Sequence, residues 1–366
     1  MVWLIFSSIA VILAFLVQES TTPKTYVIFR GLLVIVLSYF ISFGGGVTTD
    51  HFAYVDRYLN FSVSDISIGG SFGRDRESSE FGFALLMALG KLLHLGAPGF
   101  LFLVSFIINS LYISVIYRFK GPVLAVLILI LSFVFFQEAN VIRQSLAISV
   151  FLYSLKYLNK KDVWKYIIAI LIASTFHFSI IICLLFLLYV FKKKKNSNNN
   201  TKVFLIVFWL LSILSALNIL NLGIERYING ITEWVFYGSD YELTATLNKM
   251  EFNILYNFSF ILLLLFDGEK QDRVYYLIFA LGCIFMNFAC NFNIFYRFAF
   301  VFAFSFPILL PSLFDPNGYK KSYVPYIRYS KIAVICYEIF ILFINGIIKD
   351  SFLLGSWFYS LSEFFI

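Results

Sequence analysis

Arg143 and Gln144 stand side by side at the head of an apolar run, Val141-Ile142-Arg143-Gln144-Ser145-Leu146-Ala147. A charge inside an apolar run is costly, so it marks a functional position first. A guanidinium there can grip a phosphate through two parallel hydrogen bonds. An arginine that merely snorkels to the headgroups leaves the same trace, and Gln144 beside it weighs toward a lined polar cavity. His177 interrupts a second apolar run, in Ala173-Ser174-Thr175-Phe176-His177-Phe178-Ser179. Its imidazole suits a general base near neutral pH or a donor to a phosphate oxygen; a lone histidine in a tight hairpin is more often structural. Tyr296-Arg297 opens a late apolar run in the manner of Arg143. Asp50 and Glu80 flank the first long polar stretch and are candidate bases, although a lone loop carboxylate is usually only solvated.

The elements that must carry these residues are membrane spans. Of 366 residues, 60% are hydrophobic and 13% charged, and 46 are Phe and 23 Tyr. Soluble domains carry about 25% charged residues, and the mean hydropathy here is +0.86. The first run, Val2 to Val17, has no basic leader or small-residue exit and reads as a span. Others read as 26–43, 99–117, 122–136, 141–155, 164–176, 178–191, 203–220, 251–266, 274–290, 296–313 and 332–348. Residues 81–95 are a weaker candidate, best placed as re-entrant or interfacial. The fold class is therefore an all-α polytopic integral membrane protein of about twelve or thirteen membrane helices. It forms one transmembrane domain over 1–366.

Sidedness follows from the basic blocks. Lys and Arg cluster in 156–165, 192–202 and 314–331, which places those loops in the cytoplasm. The polar breaks at Gln137 to Arg143, at His177, across 221–250 and at Asn291 to Arg297 then face outward. Two long extracytoplasmic loops, 44–80 and 221–250, mix charge with Tyr and Trp, a composition that suits carbohydrate or, equally, a solvated interfacial loop. Asp50, Glu80, Arg143, His177 and Arg297 thus fall at one membrane face. Cations beside carboxylates there suit a phosphorylated lipid substrate.

The net charge of +7 is dispersed in short loops rather than gathered in a groove, which argues against nucleic acid. Cys183, Cys283, Cys290 and Cys336 lack metal spacing and read as small hydrophobes. With no Walker motif, dinucleotide fingerprint or HExxH, ATP-driven transport by this chain alone is not expected, and no cofactor is assigned.

At these residues the sequence resembles the EpsG/Wzy-type family of polysaccharide repeat-unit polymerases. The points of contact are Thr49-Asp50-His51-Phe52-Ala53-Tyr54, Glu80-Phe81-Gly82-Phe83, Ile142-Arg143-Gln144-Ser145-Leu146-Ala147, Phe176-His177-Phe178-Ser179 and Tyr296-Arg297-Phe298. The most specific part is the Arg-Gln and His pair, about 34 residues apart across a basic turn. Phe81 departs from the proline often found there. The resemblance implies a metal-independent glycosyltransferase in the bacterial cytoplasmic membrane, with its site facing outward. It would transfer a growing glycan from undecaprenyl diphosphate onto a new lipid-linked oligosaccharide. Arg143 and Arg297 would hold the diphosphate, and His177 would assist it or orient the acceptor. Asp50 or Glu80 would deprotonate the acceptor hydroxyl, and Gln144, Tyr54 and Tyr296 would line the substrate. Implied partners are membrane lipids, a flippase and a chain-length regulator of the same pathway.

Three rival readings share parts of this pattern. A flippase for the same units needs polar residues at mid-membrane. An O-antigen-ligase-like transferase shares the lipid diphosphate. A membrane acyltransferase needs a partner for His177 that the nearby sequence does not offer.

Overall fold

The computed structural model describes residues 2–45, 49–62, 80–132, 135, 138, 140–188, 198–217, 247–265, 273–290, 293–315, 323–348 and 357–358. These residues are almost entirely helical. Helices α1 (Val2–Gln18) and α2 (Pro23–Phe43) form an antiparallel pair. Helices α3 (Thr49–Asn60), α4 (Phe81–Leu92) and α5 (Ala97–Ile116) follow, then α6 (Pro122–Leu131), α7 (Ile142–Asn159) and α8 (Val163–Phe176). A 3₁₀ segment (Phe178–Phe186) leads to α9 (Asn198–Ala216), α10 (Leu247–Leu265), α11 (Arg273–Phe288), α12 (Asn293–Ala303), α13 (Phe306–Leu313) and α14 (Val324–Ile348). The one described strand pairing sets Gly44 and Gly45 antiparallel to Phe358 and Trp357, tying the end of α2 to the C-terminal region.

Among the described residues, two helices are long and apolar enough to cross a bilayer. The windows are Pro23–Ser42 and Ala97–Ile116, with mean hydropathy 1.8 and 2.1. Shorter apolar helices of 10–17 residues accompany them. Large apolar side chains such as Ile12, Val27, Trp164, Leu185 and Leu188 point outward. So wide an exposed apolar surface is unusual for a soluble monomer and ordinary in lipid, where helices satisfy their own backbone groups. Polar clasps join helices inside. Asn257 of α10 and Asn287 of α11 exchange amide hydrogen bonds at 2.8 Å. From α9, Trp209 Nε1 donates to Asn257 at 2.6 Å, and Ser212 Oγ accepts from Asn287 at 3.0 Å.

The elements that position the site are α3, α4, α5, α7 and α8. Helix α5 packs along α2 and α7, and α7 along α8. The chain reverses at His177: Tyr166 of α8 donates its hydroxyl to the Cys183 carbonyl at 2.6 Å, so the 3₁₀ segment runs back along α8. Helices α3 and α4 lie together on the first half of α5. Tyr58 stacks on Phe100 at 4.4 Å and donates to the Leu95 carbonyl at 2.8 Å. Gly90 permits that approach, because a Cβ there would meet Phe100 and the Tyr58 ring.

Several boundaries differ from those expected. The stretch 44–80 contains a full helix, α3, whose polarity hides it from a search for spans. The expected span 296–313 is split into α12 and α13, since Pro307 at the start of α13 cannot continue the preceding hydrogen-bond ladder. Helix α14 begins at Val324, inside the expected basic loop 314–331, and Asn198–Asn200, inside the expected basic loop 192–202, form the first turn of α9. Residues 221–246 lie outside the described residues.

Candidate active site

Glu80 is the residue on which the site is built. It immediately precedes α4 with φ −58° and ψ 143°, and its side chain makes no capping hydrogen bond to the helix. Its carbonyl instead accepts the first helical bonds, from Phe83 and Ala84 at 2.9 and 3.0 Å. The carboxylate is therefore free to reach across to α7 and α8. It accepts a hydrogen bond from the Arg143 guanidinium through Oε2. Through Oε1 it meets His177 Nδ1 at 3.0 Å.

Each partner is held by a helix end. Arg143 is the second residue of α7, and His177 follows the last turn of α8 in an extended conformation, φ −158° and ψ 116°. The His177 backbone N–H still closes the turn onto the Ala173 carbonyl at 3.2 Å, which leaves the ring to project past the helix end. Gly82 lets α4 cross the end of α8. A Cβ there would overlap the Thr175 side chain and stand 3.0 Å from the Phe176 ring.

The three side chains are shielded without being sealed. Arg143, Glu80 and His177 retain 22%, 20% and 16% exposure. At that depth a charge pair is neither fully screened nor dry. Burial by itself raises the Glu80 pKa, but the hydrogen bond with His177 and the charge of Arg143 outweigh it, leaving the carboxyl below its ordinary value. Glu80 is thus ionised at neutral pH. An ionised Glu80 favours the tautomer in which His177 Nδ1 carries the proton and Nε2 is an acceptor.

Around this trio, Tyr54 of α3 accepts a hydrogen bond from Arg143. Arg57, one turn on, lies within the field of Arg143 and of Glu80. Burial, then the charge of Arg143, lowers its pKa, and the nearby Glu80 opposes them. Two guanidiniums beside one carboxylate leave the pocket with net positive charge while His177 is neutral. Among the described residues, the buried Arg143 Nε has no hydrogen-bond partner. Gln144 is buried next to it, at 6% exposure. Among the described residues, no cluster of three His, Cys, Asp or Glu is placed to hold a metal ion.

The structure therefore brings together Glu80, Arg143, His177 and Tyr54, with Gln144 adjacent. The backbone of Asp50 lies one turn before Tyr54 in α3, and those of Tyr296 and Arg297 lie in α12, which packs against α11 and the 3₁₀ segment. The side chains of Asp50, Tyr296 and Arg297 lie outside the described residues. Arg57 is a site residue that sequence reasoning passed over as a loop charge. The signal that could have found it is the helical spacing of His51, Tyr54 and Tyr58, a buried face on which Arg57 rides at the edge.

A family model described as the EpsG family matches residues 27–353, nearly the whole chain and every residue of this cluster. The chain belongs to the EpsG family. Membership gives it a polysaccharide polymerase-type role, with a glycosyltransferase-like activity at a membrane. No curated protein and no solved structure matches the chain.

Proposed function

We propose that this EpsG-family protein polymerises undecaprenyl-diphosphate-linked oligosaccharide repeat units at the outer face of the bacterial cytoplasmic membrane. The observation that carries the reading is the bridge of Glu80 between Arg143 and His177, which sets a phosphate-binding group and a proton acceptor on one carboxylate. In the reaction, a hydroxyl of the acceptor sugar attacks the anomeric carbon of the donor glycan. The new glycosidic C–O bond forms as the bond to the lipid diphosphate breaks. Negative charge develops on the departing diphosphate, and cations aimed at that position stabilise the transition state most. Arg143, through the N–H groups not turned to Glu80, and Arg57 supply them; Arg297 is proposed as a further contributor. The hydroxyl proton passes to His177 Nε2.

Glu80 is then the orienting group rather than the base, because both its oxygens are engaged. It fixes the imidazole tautomer and holds the guanidinium, the part that a carboxylate plays behind a catalytic histidine. Asp50 is left as the alternative acceptor. Gln144, Tyr54 and Tyr296 are proposed to line the sugar or diphosphate. No cofactor is assigned.

The test is the glycan profile of cells carrying His177→Gln, which retains a hydrogen-bonding side chain but cannot take up the proton. Single lipid-linked repeat units exposed on the outer surface are expected. Repeat units retained on the cytoplasmic side would point instead to a flippase, and long chains left on the carrier to a ligase; either result would overturn the reading.

A further inference from the structure

Glu138 is an acid that the proposed reaction does not use. It lies between α6 and α7 and is itself helical, with 4% exposure. From α5, Asn109 Nδ2 donates to its Oε1 at 2.9 Å. The same amide nitrogen lies 3.0 Å from the Ser105 carbonyl and 3.4 Å from Ser38 Oγ of α2. Ser38, Ser105 and Asn109 are all buried. The groups that bear on the carboxyl from α5 are Ser105, Asn109 and the titratable Tyr112, whose hydroxyl donates to the Phe304 carbonyl; from α2 the nearest polar group is Ser38. None of these carries a cation. Burial pushes the Glu138 pKa up to about 8, with the polar contacts of Ser105 and Asn109 holding it back in part. At neutral pH the group is the uncharged acid.

Its place in the chain gives the acid a task. The stretch Val104–Asn109 of α5 grips the entrance to α7 twice. Ser105 and Asn109 face Glu138, while Val104 and Ile108 share a buried cluster with Ile142, just before Arg143, and Leu146, one turn after it. Arg143 is thus aimed at Glu80 by a segment clamped at both ends to one helix. We propose that Glu138 is a positioning residue: tied to Asn109 of α5, it sets where α7 begins and so where the Arg143 guanidinium stands. This rests on the assignment of Arg143 to the diphosphate.

The experiment compares the pH profile of chain elongation in membrane vesicles for the wild type, Glu138→Gln and Arg143→Lys, at matched protein levels. Glutamine keeps the oxygen that Asn109 needs and cannot ionise. The expected result is that E138Q elongates within about twofold of the wild type at pH 7. The wild type should fall off above about pH 8, where Glu138 ionises, and E138Q should not. An inactive E138Q at normal abundance, or one with the wild-type alkaline decline, overturns the proposal. A second readout is heat stability in detergent. A raised acid pKa costs folded stability increasingly as pH climbs from the unfolded value to the folded one, so E138Q should melt higher than the wild type by a margin that widens from pH 5 to 8. A constant margin also overturns it. If R143K elongates normally, the assignment of Arg143 fails, and the melting comparison still decides the state of Glu138 separately.

Discussion

Glu80 and His177 are 97 residues apart in the chain, and their side chains meet at 3.0 Å, Oε1 to Nδ1, in the angle between α4 and α8. Because the other oxygen of Glu80 is taken by Arg143, one carboxylate fixes both the anion-binding group and the proton acceptor. The consequences can be measured one at a time.

Glu80→Gln should lower elongation about 10²-fold or more, since it removes the group that sets the His177 tautomer. It should also destabilise the fold by about 1–3 kcal/mol, because Arg143 keeps its charge and loses its counterion at partial exposure. The sign of the pH dependence follows from the lowered Glu80 pKa. The stabilisation is fully present above the ordinary carboxylate value, about 4.5, and is lost as pH falls through the lower folded value. Melting curves of the wild type and E80Q in detergent should therefore keep a constant gap from pH 5 to 7 and converge in stronger acid.

Arg57→Gln should act on binding more than on the chemical step. Arg57 adds charge beside Arg143 and Glu80, so the apparent KM for the lipid-linked donor should rise about tenfold, about 1.4 kcal/mol. The value of kcat should change less than with Arg143→Lys. Initial rates across donor concentration separate the two.

Gly82→Val places a branched side chain where Thr175 and Phe176 already stand. Helix α4 must back away from α8, at about 1–3 kcal/mol, and Glu80 moves with it. A shift of about 1 Å at a reacting group costs about 10²-fold. Thr175→Ala in the same chain should restore part of the activity of G82V, which a nonspecific folding defect would not allow.

Asn287→Leu tests the scaffold alone. It leaves the Asn257 amide without its reciprocal partner, and the expected loss is about 1–2 kcal/mol of stability. Elongation per folded molecule should be unchanged, because this clasp joins α9, α10 and α11 rather than the helices that carry Glu80, Arg143 and His177. Melting temperature and normalised turnover report the two quantities.

How much of this was legible in the sequence depended on contrast. Arg143 and His177 stood out because each interrupts an apolar run, and Glu80 because it closes a polar stretch just before one. What the sequence could not supply was that a carboxylate would join them, since the partners come from three helix ends brought together only by packing. Helix α3 was missed for the opposite reason: twelve residues of mixed polarity make a poor span, so its charges, Arg57 included, read as loop. Glu138 was absorbed into the outer break from Gln137 to Arg143. Nothing local distinguishes a solvated glutamate from one turned inward against Asn109 of a helix earlier in the chain.

The most direct measurement concerns Arg143, whose replacement by lysine keeps the charge and removes the planar fork. Membranes expressing R143K at wild-type abundance, supplied with lipid-diphosphate-linked repeat units, should yield single units and short oligomers where the wild type yields long chains. Long chains from R143K at the wild-type rate would contradict the account.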